Sequence, residues 1–364
     1  MVAMVFSSHG RYSLIAASQE IPSEGAHAVQ TGEAEEEKTE AFQPGDFMFD
    51  HIKDGHEWHI ITIGHKHYSI PLPVILYSKQ SGFHMFMSGK FEHGHATYKG
   101  FRLETEGDNK GKIFEGTYKP LDISITKNIA AMFFSIAIIL WIFLSIGRKY
   151  RKNPVQAPSG MQSAIEPIVT FLRDEVIKPA IGPKYERYMP YLLTVFFFIW
   201  INNMLGLIPI PPGGANFTGN IAVTLTLAMF TFIITTFSGN KNYWMHIINT
   251  PGVPFWLKIP PLPILPLVEI IGIFTKPFVL MVRLFANITA GHIIAMGFIS
   301  LIYIFGEMSH GIAYGVSVIS VLFNVFMMFL ELLVAFIQAF VFTFLSSIYF
   351  GMAIEEHHKE AEHA

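Results

Sequence analysis

The sequence predicts an all-α integral membrane protein of about five membrane helices, the last two a long tilted hairpin, with a small β-rich extramembrane domain on its N-terminal side. Three observations predict this. Of 364 residues, 51% are hydrophobic and only 15% charged, and the apolar residues gather in runs longer than a soluble core is thick. Two of these runs, Ile264 to Phe305 and Ile312 to Ile354, would each be roughly 60 Å long as helices, about twice the hydrocarbon thickness. Between Phe47 and Thr126, by contrast, short alternating stretches are punctuated by Gly55, Gly64, Gly82, Gly89, Gly94 and Gly107, the pattern of strands and turns.

In chain order, four regions follow: a segment 1–45, a β-rich domain 46–127, a membrane domain 128–354 and a tail 355–364. Met1 to Phe6 and Tyr12 to Ala17 are short apolar pieces that lack the basic start and single apolar stretch of a cleavable signal, so the segment is at best a poor one. Residues 20–43 carry Glu33, Glu35, Glu36, Glu37 and Glu40 with almost no aromatic or branched side chains, the composition of a flexible acidic linker. His59 to Ile63 and Ile70 to Tyr77 read as strands of the next domain.

Ile129 to Ile146 is the first run able to span a bilayer, and Arg148, Lys149, Arg151 and Lys152 follow it. That bias puts its far end in the cytoplasm and the β-rich domain in the periplasm of a bacterial inner membrane. Ile165, Ile168, Val169, Leu172, Val176 and Ile177 recur at helical spacing among charged residues, which predicts an amphipathic helix on the cytoplasmic surface. Met189 to Ile208 and Ile221 to Phe237 are the second and third spans. Lys178, Lys184, Arg187, Lys241 and Lys258 flank their inner ends in the same orientation. The hairpin turns at Gly306 to Gly311 and returns the C-terminus to the cytoplasm. Its second run has no proline and only Gly315 before Gly351, so two continuous tilted helices are expected rather than shorter ones broken near Pro277.

Within the hairpin the only Asp, Glu, Lys or Arg residues are Glu269, Lys276, Arg283, Glu307 and Glu331. A guanidinium in lipid costs at least roughly 2.5 to 3.5 kcal/mol and cannot escape by losing its proton. Arg283 therefore points to an ion path more strongly than to a snorkelling side chain or a structural pair with Glu269 or Glu331. Glu269, Lys276 and Arg283 are seven residues apart and share one helix face. Asn324, Glu331 and Gln338 repeat the interval on the partner helix, so two polar stripes predict a wet seam. His292 follows Arg283 by nine residues, half a turn round, and should open onto another side of it. With Glu331 it forms a candidate proton relay, since imidazole and carboxyl groups can both titrate near neutrality.

Other chemistry is excluded or unsupported. No cysteine is present, which rules out disulfides, thiolate metal sites and cysteine nucleophiles. A net charge of −3 gives nucleic acid nothing to bind. No nucleophile triad, phosphate loop or metal-ligand motif appears, so no cofactor, no metal and no independent enzyme activity is expected.

Arg283-Leu284-Phe285-Ala286-Asn287-Ile288-Thr289-Ala290-Gly291-His292 closely resembles the central motif of F-type ATP synthase a subunits. The resemblance extends to Asn202 through Pro209, including Asn203, to Lys276-Pro277, and to Gln338-Ala339-Phe340-Val341-Phe342, in matching order from about Ile129 onward. It implies two tilted helices beside a ring of c subunits, with Arg283 making each arriving ring carboxylate release its proton and separating two offset half-channels. It further implies that Asn287, His292, Glu331 and Gln338 belong to the outer half-channel and Glu269 to the cytoplasmic one. The c-ring, a b-type peripheral stalk, the other synthase subunits and the bilayer would be partners, and H⁺ rather than Na⁺ the translocated ion.

Two departures stand out. Many bacterial members carry a carboxylate at the position of His292 and a histidine at that of Glu331, so the two groups look exchanged, which supports their pairing. Some carry Asp where this chain has Gly206. The resemblance does not reach the domain before Ile129, where eight of the 16 histidines lie between His51 and His95. His65-Lys66-His67 and His93-Gly94-His95 would each put two imidazoles on one strand face; exposed strand histidines in a packing or assembly domain are the expected reading, not a metal site. A secondary transporter, the main rival, would show repeated halves, and none is found.

Overall fold

The computed structural model describes residues 53–63, 66–105, 107–152, 157–208, 213–248 and 264–355, with Gly45, Val155 and Pro211 besides. The possible signal, the acidic stretch 20–43, the tail beyond Glu355, His51, His65 and Lys258 lie outside the described residues.

Among the described residues of the N-terminal domain there are seven strands: β1 (Glu57–Ile63), β2 (Lys66–Pro71), β3 (Pro73–Ser78), β4 (Gly82–Met87), β5 (Phe101–Leu103), β6 (Ile113–Glu115) and β7 (Leu121–Asp122). All pairings are antiparallel, in sheets β1-β2, β4-β3-β7 and β5-β6. Alternation along β3 sends Val74 and Leu76 inward to meet Phe91, Phe101 and Ile113 in a small core. Gly82 closes the β3–β4 hairpin at φ 83°, a conformation that favours glycine after a three-residue loop. His93-Gly94-His95 departs from expectation. It belongs not to a strand but to the end of a 3₁₀ segment, Ser88–Gly94, in which Glu92 and His93 take positive φ values of 46° and 58°. The backbone turns there, so the two imidazoles do not share a pleated face.

The helices are α1 (Lys127–Lys152), α2 (Met161–Phe171), α3 (Lys178–Ile181), α4 (Tyr185–Leu207), α5 (Ile221–Ser238), α6 (Lys241–Ile248), α7 (Ile264–Met308) and α8 (His310–Ile354). Among the described residues five helical stretches are long and apolar enough to cross a membrane: Lys127–Lys152, Met161–Leu207, Ile221–Ser238, Leu267–Gly306 and Gly311–Ile354. α7 and α8 contain 45 residues each, about 67 Å at 1.5 Å per residue, and only Ser309 separates them. α7 runs unbroken through Pro277, which removes the alternative of two helices there.

Between α2 and α4 the chain stays almost wholly helical, through a π-helical stretch Leu172–Ile177, α3 and a 3₁₀ turn Gly182–Lys184. The expected amphipathic helix thus flows into the second span. Its apolar face is buried in the main core: Leu172, Val176, Ile177 and Ile181 pack with Tyr188, Leu192 and Phe196 of α4, Leu280 and Leu284 of α7, and Ala339, Phe342 and Phe350 of α8. Along α8 the buried positions 335, 338, 339, 342, 343, 346, 347 and 350 follow helical periodicity.

Two junctions fix the ends of these helices. The Lys127 amide donates to Gly55 O at 2.9 Å, and the Asn128 amide donates to Asp54 Oδ1 at 3.0 Å, so a carboxylate from the N-terminal domain caps α1. At the C-terminal end of α8, Asn240 donates through its backbone to Ala353 O and through Nδ2 to Ile354 O, both at 2.9 Å, satisfying carbonyls at the close of that helix. Nearby, a Cβ on Gly351 would overlap the Ala180 carbonyl oxygen. Backbone cannot swing aside as a side-chain tip can, so Gly351→Ala is expected to cost about 1–3 kcal/mol. A scan of the purified complex should show a fall of about 5 °C in the apparent Tm; an unchanged Tm would mean the two backbones are further apart.

Candidate functional site

Leu280, Met281 and Leu284 are the buried positions of the middle of α7, and they leave Val282, Arg283, Ala286 and Asn287 on the opposite, exposed face. Arg283 and Asn287 are thus i and i+4 neighbours on the outside of the hairpin. Among the described residues no carboxylate pairs with Arg283, neither Glu269 nor Glu331. Its charge is felt at the Tyr349 hydroxyl of α8. Lys276 sits over the ring of the same Tyr349, with Nζ 5.6 Å from its centroid, and Glu269 lies within electrostatic reach of Lys276 and of Tyr243 on α6. Thr231, Thr235, Tyr243, Lys276 and Tyr349 line a cleft between α5, α7 and α8.

His292 and Glu331 turn the other way. His292 Nε2 would stand 3.7 Å from a Cβ placed on Gly206 of α4, and Ala215 O would stand 3.2 Å from it. Gly206 therefore permits a close approach that the imidazole and the following loop both use. The Glu331 carboxyl lies against Gly291, where a Cβ would fall directly on it. No direct hydrogen bond joins His292 to Glu331. Instead Glu331 Oε1, Thr289 Oγ1 and Asn202 Oδ1 are buried without a protein partner. Buried polar atoms in such a state call for water, so the space among α4, α7 and α8 is a polar seam.

The remaining sequence-predicted groups divide. Asn203 is 4% exposed, accepts from Thr218 Oγ1 at 2.5 Å and donates weakly to Ala335 O at 3.4 Å, which ties the loop before α5 to α8. Gln338 is 7% exposed on α8, one turn-pair beyond Glu331. Asn324 is half-buried. Glu307 lies at the hairpin end of α7. Sequence reading missed Tyr349, Thr289, and the hydroxyl set Tyr191, Thr231 and Ser346, linked at 2.9 and 3.4 Å. Hydroxyls on apolar helices usually bond their own carbonyls, so nothing in the local sequence marks these.

A family model described as "ATP synthase A chain" matches residues 129–351, and one described as "Domain of unknown function (DUF8433)" matches residues 47–126. The chain is 44% identical over 248 residues, covering 66% of this chain and 70% of the relative, to ATP synthase subunit a of Chloroherpeton thalassium. To ATP synthase subunit a 2 of Chlorobium luteolum it is 47% identical over 250 residues, 67% and 69% of the two chains. To ATP synthase subunit a of Myxococcus xanthus it is 38% identical over 268 residues, 72% and 82% of the two chains.

Proposed function

The chain belongs to the ATP synthase a-subunit family, a multi-pass membrane component of a multi-subunit complex, and from that premise we propose that it is the non-catalytic stator through which protons reach and leave a rotating c-ring. The observation that carries this reading is the contrast at mid-hairpin. Arg283 faces outward with no carboxylate partner, whereas the titratable His292 and Glu331 face the inner polar seam. A permanently charged side chain is not left facing lipid. A second protein surface that brings carboxylates would cover it, and a c-ring is such a surface.

In this mechanism a ring carboxylate arriving at Arg283 gives up its proton because the guanidinium favours the charged form. The released proton leaves by the cytoplasmic side, past Glu269, Lys276 and Tyr349. A proton from outside travels by water through the seam, past His292, Glu331, Gln338 and Asn287, to the next carboxylate. Arg283 lies between the two routes, so crossing requires the ring to turn. Each charge moved through 100 mV supplies about 2.3 kcal/mol, and several together drive one ATP synthesis at catalytic subunits elsewhere. The N-terminal domain then lies outside a bacterial inner membrane and the C-terminus inside, as the basic residues after α1 favour, with a b-type stalk holding the subunit still.

The test is ATP-driven proton pumping in inverted vesicles carrying the assembled complex. Intact complexes that pump normally without Arg283 would overturn the reading. A finer arm addresses the relay: exchanging His292 and Glu331 together is expected to retain at least about fivefold more pumping than either His292→Glu or Glu331→His alone, because an acid and an imidazole then remain at the two ends of the same water. Equal loss in all three variants would remove the pairing.

A further inference from the structure

The domain on the N-terminal side is not merely attached to the membrane domain; it reaches the seam. The Trp58 indole donates to Gly213 O at 3.0 Å, and Trp58, Leu72, Ala131 and Ala215 bury one another in a small apolar cluster. Ala215 O in turn stands 3.2 Å from where a Cβ on Gly206 would lie, and His292 Nε2 stands 3.7 Å from the same point. Alongside these contacts, Lys127 extends its amine to Lys53 O at 3.3 Å, and its charge acts on both Asp54 and His292.

Buried polar atoms without a protein partner occur on both sides of these contacts. Among the described residues these are His56 Nδ1, Glu57 Oε1, Thr126 Oγ1, Asn128 Oδ1, Asn202 Oδ1, Asn216 Nδ2, Thr289 Oγ1 and Glu331 Oε1. The first four belong to the junction where Gly55 and Lys127 are hydrogen-bonded. The next two flank Gly206 and Ala215, and the last two lie in the hairpin. His56 and Asn128 are only 8% and 3% exposed, so their free atoms face the interior. The other His56 nitrogen is 2.8 Å from Asp122 Oδ2. Burial pushes the Asp122 carboxyl up, but hydrogen bonds from His56 and Ser124 outweigh it and hold the group below the usual carboxylate range, leaving an anion beside His56.

Resting on the stator reading above, we infer that the N-terminal domain forms the outer mouth of the proton path, a water-filled inlet running from His56 and Glu57 past Thr126 and Asn128 to His292. Each water or imidazole on it accepts one proton and passes one on, so no group is consumed.

The chain's freedom from cysteine makes the test direct. Thr126→Cys and Asn128→Cys are introduced singly, with Lys79→Cys at an exposed turn as control, and silver ion is added to the outer face of right-side-out vesicles containing the complex. ATP synthesis by the two inlet variants is expected to fall at least tenfold on silver addition, and by the control less than twofold. Silver that inhibits neither inlet variant, or inhibits them only from the inner face, overturns the inference. An arm on the native chain covers failure to assemble: hydroxyl radicals generated by radiolysis of all water in the sample, enclosed water included, should oxidise the buried His56, and a His56 left unoxidised while exposed histidines react also overturns it. If Arg283→Ala abolishes pumping while silver does nothing, only the inlet fails; if Arg283→Ala still pumps, the stator reading fails instead.

Discussion

Replacing Arg283 with alanine is expected to lower ATP-driven proton pumping by at least about 100-fold, equivalent to about 2.7 kcal/mol of lost barrier control. The complex should nevertheless stay assembled. Arg283 is exposed on α7, and its removal leaves the buried Leu280, Met281 and Leu284 face untouched, so neither packing nor a buried ion pair is lost. On the proposed mechanism, what disappears is the fixed positive charge that makes an incoming carboxylate ionise. Arg283→Lys should rescue little, because an ammonium is a compact point charge that can shed its proton when desolvated. Passive proton leak through vesicles stripped of catalytic subunits is a second readout. It should rise for alanine, since nothing then separates the two routes, and unchanged leak with lost pumping would assign Arg283 to ring contact alone.

Gly291→Ala should separate function from stability. The added Cβ falls on the Glu331 carboxyl, the far end of a flexible side chain that can rotate away at small cost. The apparent Tm of the complex should therefore stay within about 3 °C of the parent. The carboxyl, however, must leave the seam position, and pumping should drop by at least about tenfold, or ~1.4 kcal/mol. Gly291→Ala with normal pumping would mean that Glu331 can work from more than one rotamer. The contrast with Gly351, whose obstacle is the backbone of Ala180, shows why two glycines on facing helices should fail in opposite ways.

Much of this architecture is written locally in the sequence. Apolar runs locate the spans, and the lack of a break around Pro277 follows from flanking residues that leave no turn signal. Arg283 stands out because charge in an apolar run is conspicuous. Long-range pairings leave no such trace. Trp58 and Gly213 are 155 residues apart, and Asn240 with Ile354 114 apart; neither partner looks unusual in its own neighbourhood. Helical spacing could say that Arg283 and His292 face differently, but not that His292 meets Gly206, which depends on how α4 packs. The misreading of His93-Gly94-His95 has a similar origin. Glycine between two polar residues fits a strand or a turn equally well, and the positive φ values that decide it are set by the fold around Phe91.

If the chain is the proposed stator, it must also resist being dragged. Whatever passes Arg283 pulls sideways on the hairpin, and a long helix held only by apolar side chains could creep along its neighbours. The double hydrogen bond from Asn240 onto the last turn of α8 acts as a cleat, fastening that helix to the corner between α5 and α6. The close seat of Gly351 on Ala180 blocks sliding in the other direction. On the proposed function, elastic strain from a ring step would pass into the helical scaffold rather than be lost in slippage, and the Asn240 and Gly351 contacts would set the mechanical stiffness of the stationary half.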